Sequence, residues 1–191
     1  MTNGNMIVPY VLDPSHSQRL EIAIEIIKSY AQIKRAIILD FINTLKSRFA
    51  TQLPTFTTET NVDLGEYERE RYINIISITK PSWKRDGQGI EIVLQSQERG
   101  LRGFIIGVSK SDHESKDDWP ELFGELVSRY GQGDSHPWWY YSRRIDKFAV
   151  WDHETLLELR KPSTLDFFVE QFETIRSIAE PIIDSLSPMN S

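Results

Sequence analysis

Residues Ile90–Ser109 read IEIVLQSQERGLRGFIIGVS. Ile90, Ile92 and Leu94 alternate with Glu91, Val93 and Gln95, which is the period of two of a β-strand. Glu98-Arg99-Gly100 is a turn signal, and Gly103–Ser109 is a second β-rich run. A turn this short joins antiparallel neighbours, because a parallel pair needs a crossover of about a dozen residues or more. The sheet is therefore predicted to be antiparallel.

On the N-terminal side, Arg71–Thr79 (RYINIISIT) reads as a strand and Lys80–Gly89 as a polar turn. Residues 55–61 (TFTTETN) alternate loosely, and an acidic loop follows at Asp63–Glu70. Four successive strands with short turns make a meander. On the C-terminal side, residues 110–118 are a hydrophilic loop. Asp118 and Glu121 have capping spacing, with Pro120 in the first turn. Trp119, Leu122, Phe123, Leu126, Val127 and Tyr130 form an apolar stripe, and Gly131 suits the position just past a helix end.

His136–Glu154 (HPWWYYSRRIDKFAVWDHE) holds three of the five tryptophans, with Arg143, Arg144 and Lys147 among the aromatic residues. Alternation predicts a hairpin with strands near 137–142 and 147–151. Trp138 and Tyr140 would lie on one face and Trp139 and Tyr141 on the other, with one face packed under the last helix against Phe168 and Phe172. That helix starts at Pro162-Ser163 and shows Leu165, Phe168, Phe172, Ile175, Ala179, Ile182 and Leu186 on one face, with Pro181 as a kink or restart.

At the other end, residues 1–14 read as an arm that docks as an edge strand, since Pro9 and Pro14 oppose a helix or a central strand. Ser15 and Gln18 have capping-box spacing, and Leu20, Ile24, Ile27, Ala31, Ile38, Phe41, Leu45 and Phe49 recur at helical spacing. Ile22, Ile26, Ile33, Ile37 and Ile42 widen the apolar side. A helix over 17–49 would be about 50 Å long at ~1.5 Å per residue. Two readings follow: it breaks near Gln32, or part of it packs on a second subunit. The expected order is α-β-β-β-β-α-β-β-α. This gives an α+β class with two layers: a mainly antiparallel sheet of meander plus hairpin, covered by N- and C-terminal helices. Residues 1–14 would be the arm and 15–191 a single domain.

The 191 residues suit one domain with arms, and 39% apolar residues supply an ordinary core. A net charge of −6 and a pI near 5.3 argue against bulk coating of nucleic acid, but leave room for a local basic patch. Without cysteine there is no disulfide, thiolate zinc site or cysteine nucleophile. No secretory signal and no run of about eighteen apolar residues is visible, so the expectation is a cytoplasmic protein without membrane contact.

A magnesium-dependent nuclease of the PD-(D/E)xK type needs an acid on one strand and an E-x-K triplet on the next. Glu91 is placed for the triplet, with Glu59 and Asp63 as upstream acids, but residue 93 is Val. Two D-H-E segments, Asp112-His113-Glu114 and Asp152-His153-Glu154, offer metal-ligand chemistry. Neighbouring residues rarely all face one ion, and the second segment suits a helix start, where acids complement the dipole. The basic groups of Trp83-Lys84-Arg85, Arg143-Arg144, Lys147 and Arg160-Lys161 would either contact single-stranded nucleic acid or lie over aromatic rings. P-loop, G-x-G-x-x-G, G-x-S-x-G and H-E-x-x-H motifs are absent.

The succession I-E-I-V-L-Q, G-F-I-I-G-V, a short helix, Trp138-Trp139, Trp151-Asp152 and a long final helix resembles the C-terminal accessory modules of uncharacterised bacterial proteins related to the PD-(D/E)xK nuclease superfamily, including those of defence and restriction loci. The resemblance covers about residues 90–186. It implies an α+β module with an accessory or recognition role, or a regulator of a larger nucleic-acid enzyme. The nuclease triplet is missing, so no catalytic residue carries over.

The expectation is thus a non-enzymatic interaction module of a bacterial or phage nuclease or defence system, with no catalytic residue, metal ligand or cofactor assigned. A protein partner, including a second copy of the chain, would bind at Trp138, Trp139, Tyr140, Tyr141, Arg143, Arg144, Lys147 and Trp151, the residue types enriched at binding hot spots. The alternative is a nucleic-acid-binding or degenerate nuclease-like domain.

Overall fold

The computed structural model describes residues 6–62, 69–85, 88–110 and 119–186. Its elements are α1 (Ile7–Val11), α2 (Ser17–Gln52), β1 (Thr57–Glu59), β2 (Ile73–Thr79), β3 (Lys84–Arg85), β4 (Gln88–Glu98), β5 (Arg102–Lys110), α3 (Pro120–Arg129), β6 (Asp134–His136), β7 (Trp139–Arg144), α4 (His153–Leu159) and α5 (Pro162–Leu186). The main strands pair in the order β1-β2-β4-β5-β7-β6, every pair antiparallel, and β3 pairs with the start of β4. The meander is therefore continuous, and the α+β, two-layer class read from the sequence holds.

Alternation decides which side chains meet the helices. Ile90, Ile92 and Leu94 of β4 and Phe104, Ile106 and Val108 of β5 are buried in one cluster with residues of α2, α3, α4 and α5. α2 supplies Ile38, Phe41, Ile42, Leu45 and Phe49, and α5 supplies Phe168, Val169, Phe172, Ile175, Ile178, Ala179 and Ile183. The β4–β5 turn carries φ values of +76° at Gly100 and +59° at Leu101. A left-handed leucine is strained by ~1–3 kcal/mol. Its complete burial holds it there.

Several boundaries differ from expectation. Residues 7–11 form a short helix, not an edge strand. Pro9 is tolerated because it sits in the first turn, where the N–H has no intrahelical partner. α2 runs unbroken through Gln32, because no glycine or proline lies between Pro14 and Pro54. Ser15 does not cap it: its N–H and hydroxyl both donate to Asp13 Oδ1, at 3.0 and 2.5 Å. α4 is missing from the expected element order, although Asp152-His153-Glu154 reads as a helix start. Its N-cap is Asp152, whose carboxylate accepts from the Glu154 and Thr155 N–H groups at 3.1 and 3.0 Å. Those bonds, the Thr155 one foremost, hold the Asp152 carboxyl below its usual range. Gly131, with φ +120°, closes α3 as expected, its N–H reaching the Leu126 carbonyl at 3.1 Å. Asp118 lies outside the described residues. Pro181 sits within a continuous α5.

The end of β2 is tied to α5 by an ionic cluster. Lys80 Nζ bridges Glu180 and, at 2.7 Å, Asp184, while Trp83 Nε1 donates to Asp184 Oδ1 at 2.7 Å. Partial burial opposes the charged forms of both Lys80 and Asp184. The mutual hydrogen bonds outweigh it, raising the Lys80 pKa and lowering that of Asp184. The Lys80 contribution is complete below its ordinary value and is lost as pH rises through the raised one. That of Asp184 is complete above its ordinary value and is lost as pH falls through the lowered one. Asp184→Asn should destabilise the protein by about 1 kcal/mol at neutral pH, the size of a partly exposed pair. Thermal melts of wild type and variant should converge in acid. A difference that persists in acid would show that the carboxylate charge is not what matters.

Trp151 is fully buried, stacked on Phe104 at 4.7 Å and edge-on to Phe41 at 5.7 Å. Its Nε1 has no hydrogen-bond acceptor among the described residues. An orphan buried donor costs ~1–3 kcal/mol. Trp151→Ala should destabilise by about 3–5 kcal/mol. Trp151→Phe should cost clearly less, since it keeps ring packing and removes the orphan donor. Equal losses for the two variants in urea titrations would contradict this.

Candidate interaction surface

The aromatic segment is divided between core and surface. β6 and β7 form a tight hairpin closed at His136–Trp139, so the returning strand expected at 147–151 does not exist. Residues after β7 instead run on beside β5: the Ile145 N–H donates to the Phe104 carbonyl at 2.9 Å, and the Trp151 N–H to that of Leu101 at 3.2 Å. A register shift between Val108 and Ser109 places Tyr140 as the extra residue of a bulge. Tyr140 and Tyr141 both join the main core, while Trp139 packs with Val93 and Ile105 in a separate cluster. Simple alternation had put the two tyrosines on opposite faces.

Tyr140 stacks flat on Trp119 at 4.6 Å, with Lys110 Nζ 4.6 Å from its ring centre. The Tyr141 hydroxyl donates to the Gly131 carbonyl at 2.9 Å, and burial raises its pKa. β5 comes so close here that a Cβ on Gly107 would lie 2.0 Å from the Tyr141 carbonyl oxygen. Trp139, Tyr140, Tyr141 and Trp151 are thus buried and cannot themselves form a docking face. Their large apolar area is what a sheet edge beneath helices needs.

Trp138, Arg143, Arg144 and Lys147 remain exposed. They do not make one patch, because Trp138 and Arg144 lie at opposite ends of β7, about 20 Å apart along the strand. The Arg143 guanidinium sits 5.2 Å over the Tyr130 ring and donates to the Tyr130 carbonyl at 2.8 Å. Lys147 Nζ is 5.2 Å from the Phe148 and Phe167 rings, and Lys161 pairs with Glu158. These cations lie on the protein's own aromatic rings and acids.

No metal-type constellation emerges from the candidates. Asp152 is a helix cap, and Asp112-His113-Glu114 and Asp63 lie outside the described residues. Glu59 and Glu91 stand on β1 and β4, separated by β2, and Val93 is buried. Among the described residues there is no group of three His, Asp or Glu that could hold an ion, and no helix long and apolar enough to cross a membrane.

Among the described residues, a longer run of exposed large apolar side chains lies on α1 and α2. In α2, no residue before Ile38 is buried. Leu20, Ile22, Ile24, Ile26, Ile27, Tyr30 and Ile33 are all at least 42% exposed, and Ile27 reaches 74%. Met6 and, on α1, Ile7, Val8 and Tyr10 add to this run. α1 is held by Arg19, whose guanidinium lies 4.0 Å over the Tyr10 ring and 3.6 Å from Asp13. Val11, Leu12, Pro14, Leu20 and Ile24 line a groove of about 390 Å³ between the two helices. The isoleucine-rich pattern was legible in the sequence. What the sequence did not reveal is that the sheet ends before it can cover that half of the helix.

Trp139→Ala should destabilise the protein by about 3–5 kcal/mol, whereas Trp138→Ala should change stability by ~1 kcal/mol or less. Denaturant unfolding of both variants checks this, and equal losses would contradict it. Comparison of the chain with protein-family models, with curated proteins and with solved structures gives no match in any of the three.

Proposed function

We propose that the protein is a non-enzymatic interaction module whose contact surface is the helical arm made of α1 and the N-terminal half of α2. One observation carries this reading: α2 continues for about twenty residues past its last core contact and keeps large apolar side chains throughout. Most helical stability in proteins comes from packing of an apolar face, and among the described elements only the short α1 packs on this stretch. Large exposed apolar patches mark interaction sites. The aromatic segment, first read as the contact surface, serves this proposal as the anchor of the body that carries the arm. The resemblance of residues 90–186 to nuclease-related accessory modules adds a setting, a regulatory or recognition role beside a bacterial or phage nucleic-acid enzyme.

The test is site-specific photo-crosslinking in cells that make the protein at its native level. A photoreactive residue at position 26, on the arm, should yield protein adducts. One at Leu157, which is 68% exposed on α4, should not. Ile26→Glu should abolish association yet leave the melting temperature within a few degrees, since exposed substitutions are usually near neutral. No adduct at position 26 would remove the proposal.

A further inference from the structure

The arm's apolar residues are not spread evenly. At ~100° per residue, Ile22, Ile26, Ile33 and Ile37 fall within an arc of ~60°. Glu21, Glu25, Lys28 and Gln32 occupy another side. Leu20 and Ile24, which face the α1 groove, lie well away from this seam. No described residue buries Ile22, Ile26 or Ile33, and Ile37 is half-buried where the seam meets the body's core.

The seam reads the same from both ends. Paired about a point between Ser29 and Tyr30, Ile26 faces Ile33, Ile22 faces Ile37, and Arg19 faces Asp40. Such a palindrome is what a two-fold axis perpendicular to a helix requires, since each residue meets its mirror position on the copy. The charges agree, because the two ends carry opposite sign. Antiparallel pairing brings Arg19 to Asp40 twice. Parallel pairing would set Arg19 against Arg19 and Asp40 against Asp40. Arg19 already lies 3.6 Å from Asp13 and would be shared between the two carboxylates.

Ile22, Ile26, Ile33 and the flanking Tyr30 leave on the order of 300 Å² of apolar surface in water, within the range of a monomer's largest patch. A stable interface buries ~800 Å² per partner, so the polar residues flanking the seam would take part as well. Residues 19–40 give an overlap of about 33 Å, or three heptads.

We infer that the arm's partner is a second copy of this chain, bound through an antiparallel pairing of α2 along Ile22, Ile26, Ile33 and Ile37, with Arg19–Asp40 contacts at both ends. This rests on the reading of the arm as a contact surface and names its occupant. The two bodies then sit at opposite ends of the paired helices.

The chain has no cysteine, so introduced thiols report the geometry cleanly. The full chain at tens of micromolar should sediment at about 44 kDa, twice its 22.2 kDa. Ile26→Glu with Ile33→Glu should give the single-chain mass with an unchanged melting temperature. Arg19→Asp should weaken dimerisation at least severalfold, and adding Asp40→Arg should restore it. An oxidised mixture of Ile22→Cys and Ile37→Cys proteins should link mainly position 22 to position 37. A single-chain mass for the wild type at 50 μM overturns the dimer; adducts to another protein at position 26 would then leave the arm reading intact. A 44 kDa particle that links 22 to 22 and 37 to 37 overturns the antiparallel arrangement.

Discussion

The indole of Trp151 is the point where separate parts of the chain meet. It stacks on Phe104 of β5 and meets the edge of Phe41 of α2, which in turn packs on Phe168 of α5 at 5.4 Å. Phe148 reaches the same Phe168 ring. A tryptophan buries ~150–250 Å², an upper bound of about 4–6 kcal/mol of transfer free energy. The orphan indole N–H takes back part of that. The next residue, Asp152, caps α4, so the buried ring and the cap together set where the chain turns from the sheet to its covering helices.

The sheet edge shows how one local irregularity redistributes side chains. The bulge at Tyr140 turns two consecutive tyrosines towards α3, where Trp119, Phe123 and Tyr130 receive them. Arg143 closes the edge by bonding the carbonyl at the end of α3. The resulting strip looks like a hot spot in composition and behaves as core in packing. Large aromatic rings with basic neighbours suit a partner surface and the underside of a helix layer equally well, because both demand apolar area with a wet, polar end.

The body and the arm follow different rules. In the body, the Ile-rich side of α2 is matched by a sheet and by α5. N-terminal to Ile38 the same helix continues with only the short α1 against it among the described elements. Helix length here is a property of the local chain, free of glycine and proline between Pro14 and Pro54. Burial is a property of how many strands and helices lie within reach. The mismatch between the two leaves an apolar helix half exposed, and that surface carries the functional proposal.

By itself the sequence determined the antiparallel sheet, because the runs around Ile90–Ser109 alternate with period two and turn within three residues. It also determined helical structure over 17–49, though not whether that helix breaks near Gln32, as well as the C-terminal stripe of α5 and the glycine that closes α3, since each depends on local periodicity or a single backbone preference. Tertiary structure decided the rest. Register against β5, and not alternation within β7, set the bulge that placed Tyr140 beside Tyr141. Contacts with Leu101 and Phe104 replaced the expected strand at 147–151 with a segment that runs on beside β5. The reach of the sheet decided that Trp139 and Trp151 are inside while Ile22 and Ile26 are outside. Apolar composition says only that a side chain gains by leaving water, and which surface it leaves water against depends on partners far away in the chain.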